Sequence, residues 1–262
     1  MLFRSKVIAI ANQKGGCSKT TVTVNLGIGL ALAGKKVCLI DADPQGSLTV
    51  SLGYSQPDGI RDSLAAILMH VINEEDYPVG YGRLRHGEGV DLIPANMELS
   101  GLEVPLANVM SREMILKEYV DLIRDDYDYI LIDCMPSLGV MTINALVAAD
   151  RVLVPVQAAY LPVVGLQMLI KTISMVKKRL NKQLSIEGIL ITMVDYRTNY
   201  AKDITAMLKD NYGMSVGVMD SYIPFSVKVA EASAEGMSIF QYAPKCKAAE
   251  SFAKLTSEIL EG

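Results

Sequence analysis

Lys14-Gly15-Gly16-Cys17-Ser18-Lys19-Thr20-Thr21 is the densest run of chemistry-bearing residues in the chain. Adjacent glycines let backbone N–H groups turn toward an anion, and a helix opening at Lys19 adds the partial positive charge of its N-terminus. In such a loop Lys19 reaches the β- and γ-phosphates of a nucleotide and the Thr20 hydroxyl ligates Mg²⁺, with Gly15, Gly16, Cys17, Ser18 and Thr21 lining the anion. The strict spacing G-x-x-x-x-G-K-[ST] is not kept, because Gln13 and Ser18 stand where it asks for glycine. If the Ser18 backbone needs a positive φ, the missing glycine costs on the order of 1 kcal/mol. Solvated lysines beside a Gly-Gly turn are the plain alternative.

Two acidic segments follow short apolar runs: Asp41-Ala42-Asp43-Pro44-Gln45-Gly46 after Val37 to Ile40, and Asp133-Cys134-Met135-Pro136-Ser137 after Tyr129 to Ile132. Phosphoryl transfer needs a phosphate cradle, a divalent cation and a group that orients the attacking water. Asp133 suits a carboxylate that holds Mg²⁺ through a water. Turn formation or helix capping is the competing role for aspartates that precede prolines.

These loops need elements that bring them together. Val7 to Ala11 reads as a strand, Lys19 to Ala33 as a helix closed by Gly34 as its C-cap glycine, and Val37 to Ile40 as a second strand, which makes a β-α-β unit. Helices near 111–124, 165–180, 201–212 and 248–260 alternate with strands at 129–132, 152–156 and 188–193. The segment from Gly53 to Asn96 is less regular, with a helix over 60–72 and a short edge strand over 90–93. This alternation predicts an α/β fold, a doubly wound, mostly parallel sheet with helices on both faces, spanning 1–262 as one domain. In such a sheet the loops after adjacent strands share one crevice, where the phosphate loop and both acidic segments would meet.

Composition narrows the partners. With 262 residues, 50% hydrophobic and 21% charged, at net charge −4, the chain can bury a core and is no general polycation. Any contact with nucleic acid needs a local patch. Apolar runs are too short to span a membrane, and Met1 to Ala11 is too short for a signal peptide, so a cytosolic location is expected. Cys17, Cys38, Cys134 and Cys246 lie far apart without a C-x-x-C pair and read as small hydrophobes.

The phosphate loop, with its early Lys14, resembles the deviant Walker A motif of the ParA/MinD family. The likeness continues through Gly188 to Met193, Tyr196-Arg197-Thr198 and the stretch from Ile223-Pro224 to Gly236, and it is weakest over 53–96. The resemblance implies an ATPase that uses ATP and Mg²⁺ and forms a homodimer around the nucleotide, with Lys14 reaching the partner's phosphates. It also implies that Asp43 positions the lytic water, that Asp41 stands on the magnesium side or supports the residues that do, and that Pro224 lies near the adenine.

Within the family, a ParA-like member is expected to bind duplex DNA without sequence preference, to associate with the nucleoid and to respond to a ParB-like partner. Hydrolysis without a supplied arginine is slow, which makes that stimulation expected. Arg197 matches a family basic position and Lys228 is a second candidate, whereas Phe225 stands where a basic residue commonly follows Ile-Pro. Lys177, Lys178, Arg179 and Lys182 form another cluster, for which complementing a helix C-terminus is the competing role. No helix-turn-helix extension precedes the phosphate loop, so site-specific DNA binding is not expected.

A MinD-like membrane-positioning ATPase is the alternative, but the segment from Glu250 to Gly262 is a poor amphipathic anchor, with Glu250, Glu258 and Glu261 against Lys254. An iron-protein-like reading lacks a second cysteine at family spacing beside Cys134. A kinase reading lacks an acceptor site.

Overall fold

The computed structural model describes residues 5–158, 160–195 and 197–262, without the side chains of 103, 160–164 and 200. Met1 and Tyr196, both used above, fall outside it.

The chain opens with β1 (Lys6–Ile10), α1 (Lys19–Leu32), β2 (Val37–Ala42), α2 (Ser47–Ser51), α3 (Leu64–Ile72), β3 (Leu84–Arg85) and β4 (Val90–Ile93). Short α4 (Glu98–Gly101) and α5 (Glu103–Ala107) lead to α6 (Ile115–Ile123), β5 (Tyr129–Cys134), α7 (Val140–Ala148), β6 (Arg151–Gln157) and α8 (Tyr160–Arg179). The last part contains β7 (Ser185–Val194), α9 (Asn199–Tyr212), β8 (Val218–Pro224), α10 (Val227–Ala234), α11 (Ile239–Tyr242) and α12 (Lys247–Glu261).

The strands form one eight-stranded sheet in the order β3-β4-β2-β5-β1-β6-β7-β8, parallel except for β3. Strand alternation divides the core in two. Val7 and Ala9 face α3, α6, α7, α8 and α9, while Ile8 and Ile10 face α1 and α12. Strands apolar on both sides need helices on both sides, which is the doubly wound α/β fold expected from the sequence. Each fully buried Leu, Ile or Phe on these faces contributes about 1.5–3 kcal/mol.

Gly34 does close α1: at φ +82 its N–H donates to Ala31 O, and the Lys35 N–H donates to Leu30 O, which is a Schellman ending. Among the differences from expectation are three helix starts and the place of one strand in the sheet. The helix expected over 60–72 starts at Leu64, after a 3₁₀ turn at Pro57–Gly59 and an extended Ser63. The one expected from Ser111 starts at Ile115, because Ser111 itself is left-handed at φ +54. α8 begins five residues earlier than expected, at Tyr160 rather than Gly165; Pro162 falls in its first turn, where the N–H groups have no intrahelical partner anyway. The segment 90–93 is a strand but not an edge, since the two-residue β3 pairs outside it.

Candidate functional site: a phosphate loop between three adjacent strands

β2, β5 and β1 are neighbours in the sheet, so the segments at their carboxyl ends lie side by side: Asp41 to Gly46 at β2, Asp133 at β5 and the loop 11–18 after β1. Asp133 is in register with Asp41 on one side and with Ile10 on the other. The chain leaves β1 in one direction for β2 and later crosses to β6 on the other side. That reversal opens the crevice in which open α/β sheets bind ligands.

The loop after β1 is moored from several directions. Asn12 donates to Pro155 O at 2.7 Å and accepts from the Lys14 N–H at 3.0 Å. Gln13 donates to Gly165 O on α8 at 2.7 Å, and the Thr192 hydroxyl on β7 donates to Cys17 O at 3.1 Å. Gly16 and Ser18 are both left-handed, at φ +72 and +71, so the serine does carry the strain anticipated for it. The backbone N–H groups from Gly15 to Thr21 have no partner among the described residues. Gly15 and Gly16 are exposed, and a Cβ built on either meets nothing within 4 Å. A run of unpaired donors around open space at a helix start fits the oxygens of a polyphosphate.

Lys19 is buried and its ammonium donates to Lys14 O at 3.2 Å, while Lys14 is exposed. Neither lysine enters an ion pair among the described residues.

Asp133 accepts from the Thr20 hydroxyl at 2.7 Å and lies 3.2 Å from the Thr23 hydroxyl. Burial, then the charge of Asp41, pushes its pKa up to about 8, against the Thr20 hydrogen bond and Lys19. Thr23 has one proton for two acceptors, Lys19 O at 3.0 Å and Asp133 Oδ1. A protonated Asp133 resolves that count by donating to Thr23 itself. Thr20 and Asp133 together offer the oxygen donors that a hard divalent cation takes.

Asp41 is wholly buried, and its Oδ2 accepts from both the N–H and the hydroxyl of Thr49, at 2.9 and 2.7 Å. Its Oδ1 lies 3.3 Å from the Asp43 N–H. Burial raises it to about 6 in spite of these donors. It is turned toward α2 with both oxygens engaged and acts on Asp133 through its charge, which is the supporting one of the two places expected for it. Its Oδ2 thus ties the end of β2 to α2. Asp43 is half-buried; its Oδ1 accepts from the Gln45 N–H at 3.0 Å and its O from the Gly46 N–H at 2.9 Å, which leaves Oδ2 unbonded among the described residues. It therefore shapes the turn with one oxygen and keeps the other available.

Pro224 ends β8 and is half-buried, three strands from β1 but on the same carboxyl edge. Arg197 is exposed, yet its guanidinium forks onto Asp195, Nε to Oδ1 at 2.8 Å and the terminal nitrogen to Oδ2 at 2.7 Å. The pair holds the Asp195 carboxyl down at about 2. Lys228 is exposed in the first turn of α10, next to Phe225 and Val227, which are 67% and 61% exposed. Lys177, Lys178 and Arg179 do fall in the last turn of α8. Asn12, Thr23, Thr49 and Thr192 escaped the sequence reading; only Thr23, one turn beyond Thr20 on the same helix face, carried a signal that could have revealed it.

Comparison with known proteins shows the family. The AAA domain family matches residues 5–186. The sporulation initiation inhibitor protein Soj of Bacillus subtilis is 41% identical over 97% of this chain and 98% of its own. The chromosome partitioning protein ParA of Caulobacter vibrioides is 39% identical over 97% and 94%. A cobyrinic acid a,c-diamide synthase from Mycobacterium smegmatis, solved with ADP and magnesium, superimposes with a TM-score of 0.85 at 35% identity, over 98% of this chain and 94% of that one. The chain belongs to the ParA/Soj-type ATPases of the deviant Walker A, or ParA/MinD, family.

Proposed function

We propose that this chain, as a single domain, is a partition ATPase: it dimerises around ATP and Mg²⁺, binds duplex DNA without sequence preference in that state, and hydrolyses ATP when a ParB-like partner engages it. Its cargo is then a plasmid, a chromosome or a mobile element, and its location is cytoplasmic and nucleoid-associated. The observation that carries the reading is the convergence of the phosphate loop, Asp133 and Asp43 on three adjacent strands.

In this reading the N–H groups of Gly15 to Thr21 and the Lys19 ammonium bind the phosphates, and Lys14, exposed at the loop's rim, reaches those of the second subunit. Thr20 and Asp133 hold Mg²⁺, which supplies positive charge to the transferring phosphoryl group. The free oxygen of Asp43 orients the attacking water. Pro224 lies against the adenine, and Arg197 and Lys228 face the DNA.

The MinD-like alternative needs a free amphipathic helix at the end of the chain. Here Phe252, Leu255 and Ile259 of α12 are buried against the sheet face that also carries α1, so that apolar stripe is already used. No helix among the described residues is long and apolar enough to cross a membrane.

The test is retention of Asp43→Ala on plain duplex DNA with ATP or ADP across a salt series. Binding that requires ATP and weakens with salt is expected, by roughly 0.9 in log–log slope per phosphate neutralised. Equal binding in both nucleotides, or none, removes the DNA step; ATP-dependent sedimentation with liposomes instead would favour the membrane reading.

A further inference from the structure

Thr49 sits on α2, outside the phosphate loop and both acidic turns, yet it is wholly buried and touches two separate parts of the site edge. Its N–H and its hydroxyl both donate to Asp41 Oδ2, at 2.9 and 2.7 Å, and its hydroxyl oxygen accepts from the Ala95 N–H at 3.1 Å, just beyond β4. Asp41 Oδ1 in turn faces the Asp43 N–H at 3.3 Å. The same turn is braced from outside: Gly46 is left-handed at φ +62, and a Cβ there would come within 3.1 Å of both Ala95 O and Pro57. The loop bearing Asp43 therefore hangs on two handles, the Asp41 carboxylate and the close approach of Gly46 to the end of β4.

We propose that Thr49 is a positioning residue for ATP hydrolysis: its hydroxyl fixes Asp41, and Asp41 fixes the backbone that aims Asp43. The inference rests on Asp43 orienting the lytic water. It adds that the irregular segment from Gly53 to Asn96, where family resemblance is weakest, takes part in that aim through the Ala95 N–H. A buried hydroxyl that is donor to one partner and acceptor from another can be replaced by serine but not by valine, which leaves a carboxylate oxygen and an N–H each short of a bond.

The experiment compares Thr49→Ser, Thr49→Val and Thr49→Ala with wild type and Asp43→Ala in single-turnover ATP hydrolysis, with nucleotide affinity measured separately and folding checked by circular dichroism. Expected are a loss of roughly tenfold to a hundredfold in the rate for Thr49→Val, ATP affinity within about twofold of wild type, and recovery of most of the rate in Thr49→Ser. A wild-type rate in folded Thr49→Val, or loss of affinity in step with rate, overturns the proposal. If valine does not fold there, the alanine and serine variants decide by the same criterion. If Asp43→Ala itself hydrolyses ATP normally, the role of Asp43 fails instead, and the two failures are told apart.

Discussion

The centre of the carboxyl edge and its β8 end are built on opposite principles. At β2, β5 and β1 the polar groups are buried and interlocked: Asp133, Asp41, Thr49 and Thr23 are all nearly inaccessible, and each is tied to another element. At β7 and β8 the edge is exposed and apolar, with Phe225 and Val227 outward and the Arg197 charge neutralised within its own loop by Asp195. Buried charges must be paired or coordinated and so constrain their neighbours, whereas exposed ones are cheap to exchange. The chemistry of the first region is therefore fixed by the fold, and the second is free to diverge in what it binds.

The largest expected effect falls on the first region. Lys19→Ala should weaken ATP binding on the order of a hundredfold, since a preorganised cation facing phosphate is lost, while Arg197→Ala leaves it unchanged; fluorescent-nucleotide titration reads both. Equal losses would erase the contrast.

Next is Asp133→Asn. Because burial lifts Asp133 from 3.8 to about 8, the folded state holds that proton more tightly than the unfolded chain does. Wild-type stability without Mg²⁺ should then fall as pH rises between these values, and the asparagine variant should be spared. Its melting-temperature advantage should grow from pH 5 to pH 8. A shrinking advantage would mean that the ionised carboxylate is the form the fold favours.

A smaller effect is expected from Phe225→Arg, which should steepen the salt dependence of ATP-state DNA binding by about 0.9 in log–log slope and raise affinity several-fold at low salt. Asp195→Asn should act in the same direction by less, by releasing Arg197 from its fork. No change in slope with either variant would place the DNA surface elsewhere, with the α8 end cluster the first alternative.

Legibility followed the same division. The strand, loop and helix around Lys14 to Thr21 could be read because apolar periodicity and adjacent glycines are local signals, and Gly34 punctuated α1 where the periodicity ended. β8 was missed: exposed Asp220 and Tyr222 interrupt its apolar run, and its strand character comes from pairing with β7. The two-residue β3 has no periodicity to read at all. Arg197 could be identified as a basic residue but not as a paired one, because its fork onto Asp195 depends on the conformation of the loop.

What the sequence by itself determined is the set of local devices: a Gly-Gly loop with two lysines at a helix start, acidic strand ends, and a β-α-β alternation that admits a parallel sheet. Tertiary structure alone decided which strands are neighbours, and with that the company each carboxylate keeps. Strand order set Asp133 beside Asp41, and burial rather than residue type raised both their pKa values. The same packing turned Asp41 toward Thr49 and α2, since a buried carboxylate takes whichever donors the neighbouring elements present, and those donors come from parts of the chain that no local pattern connects.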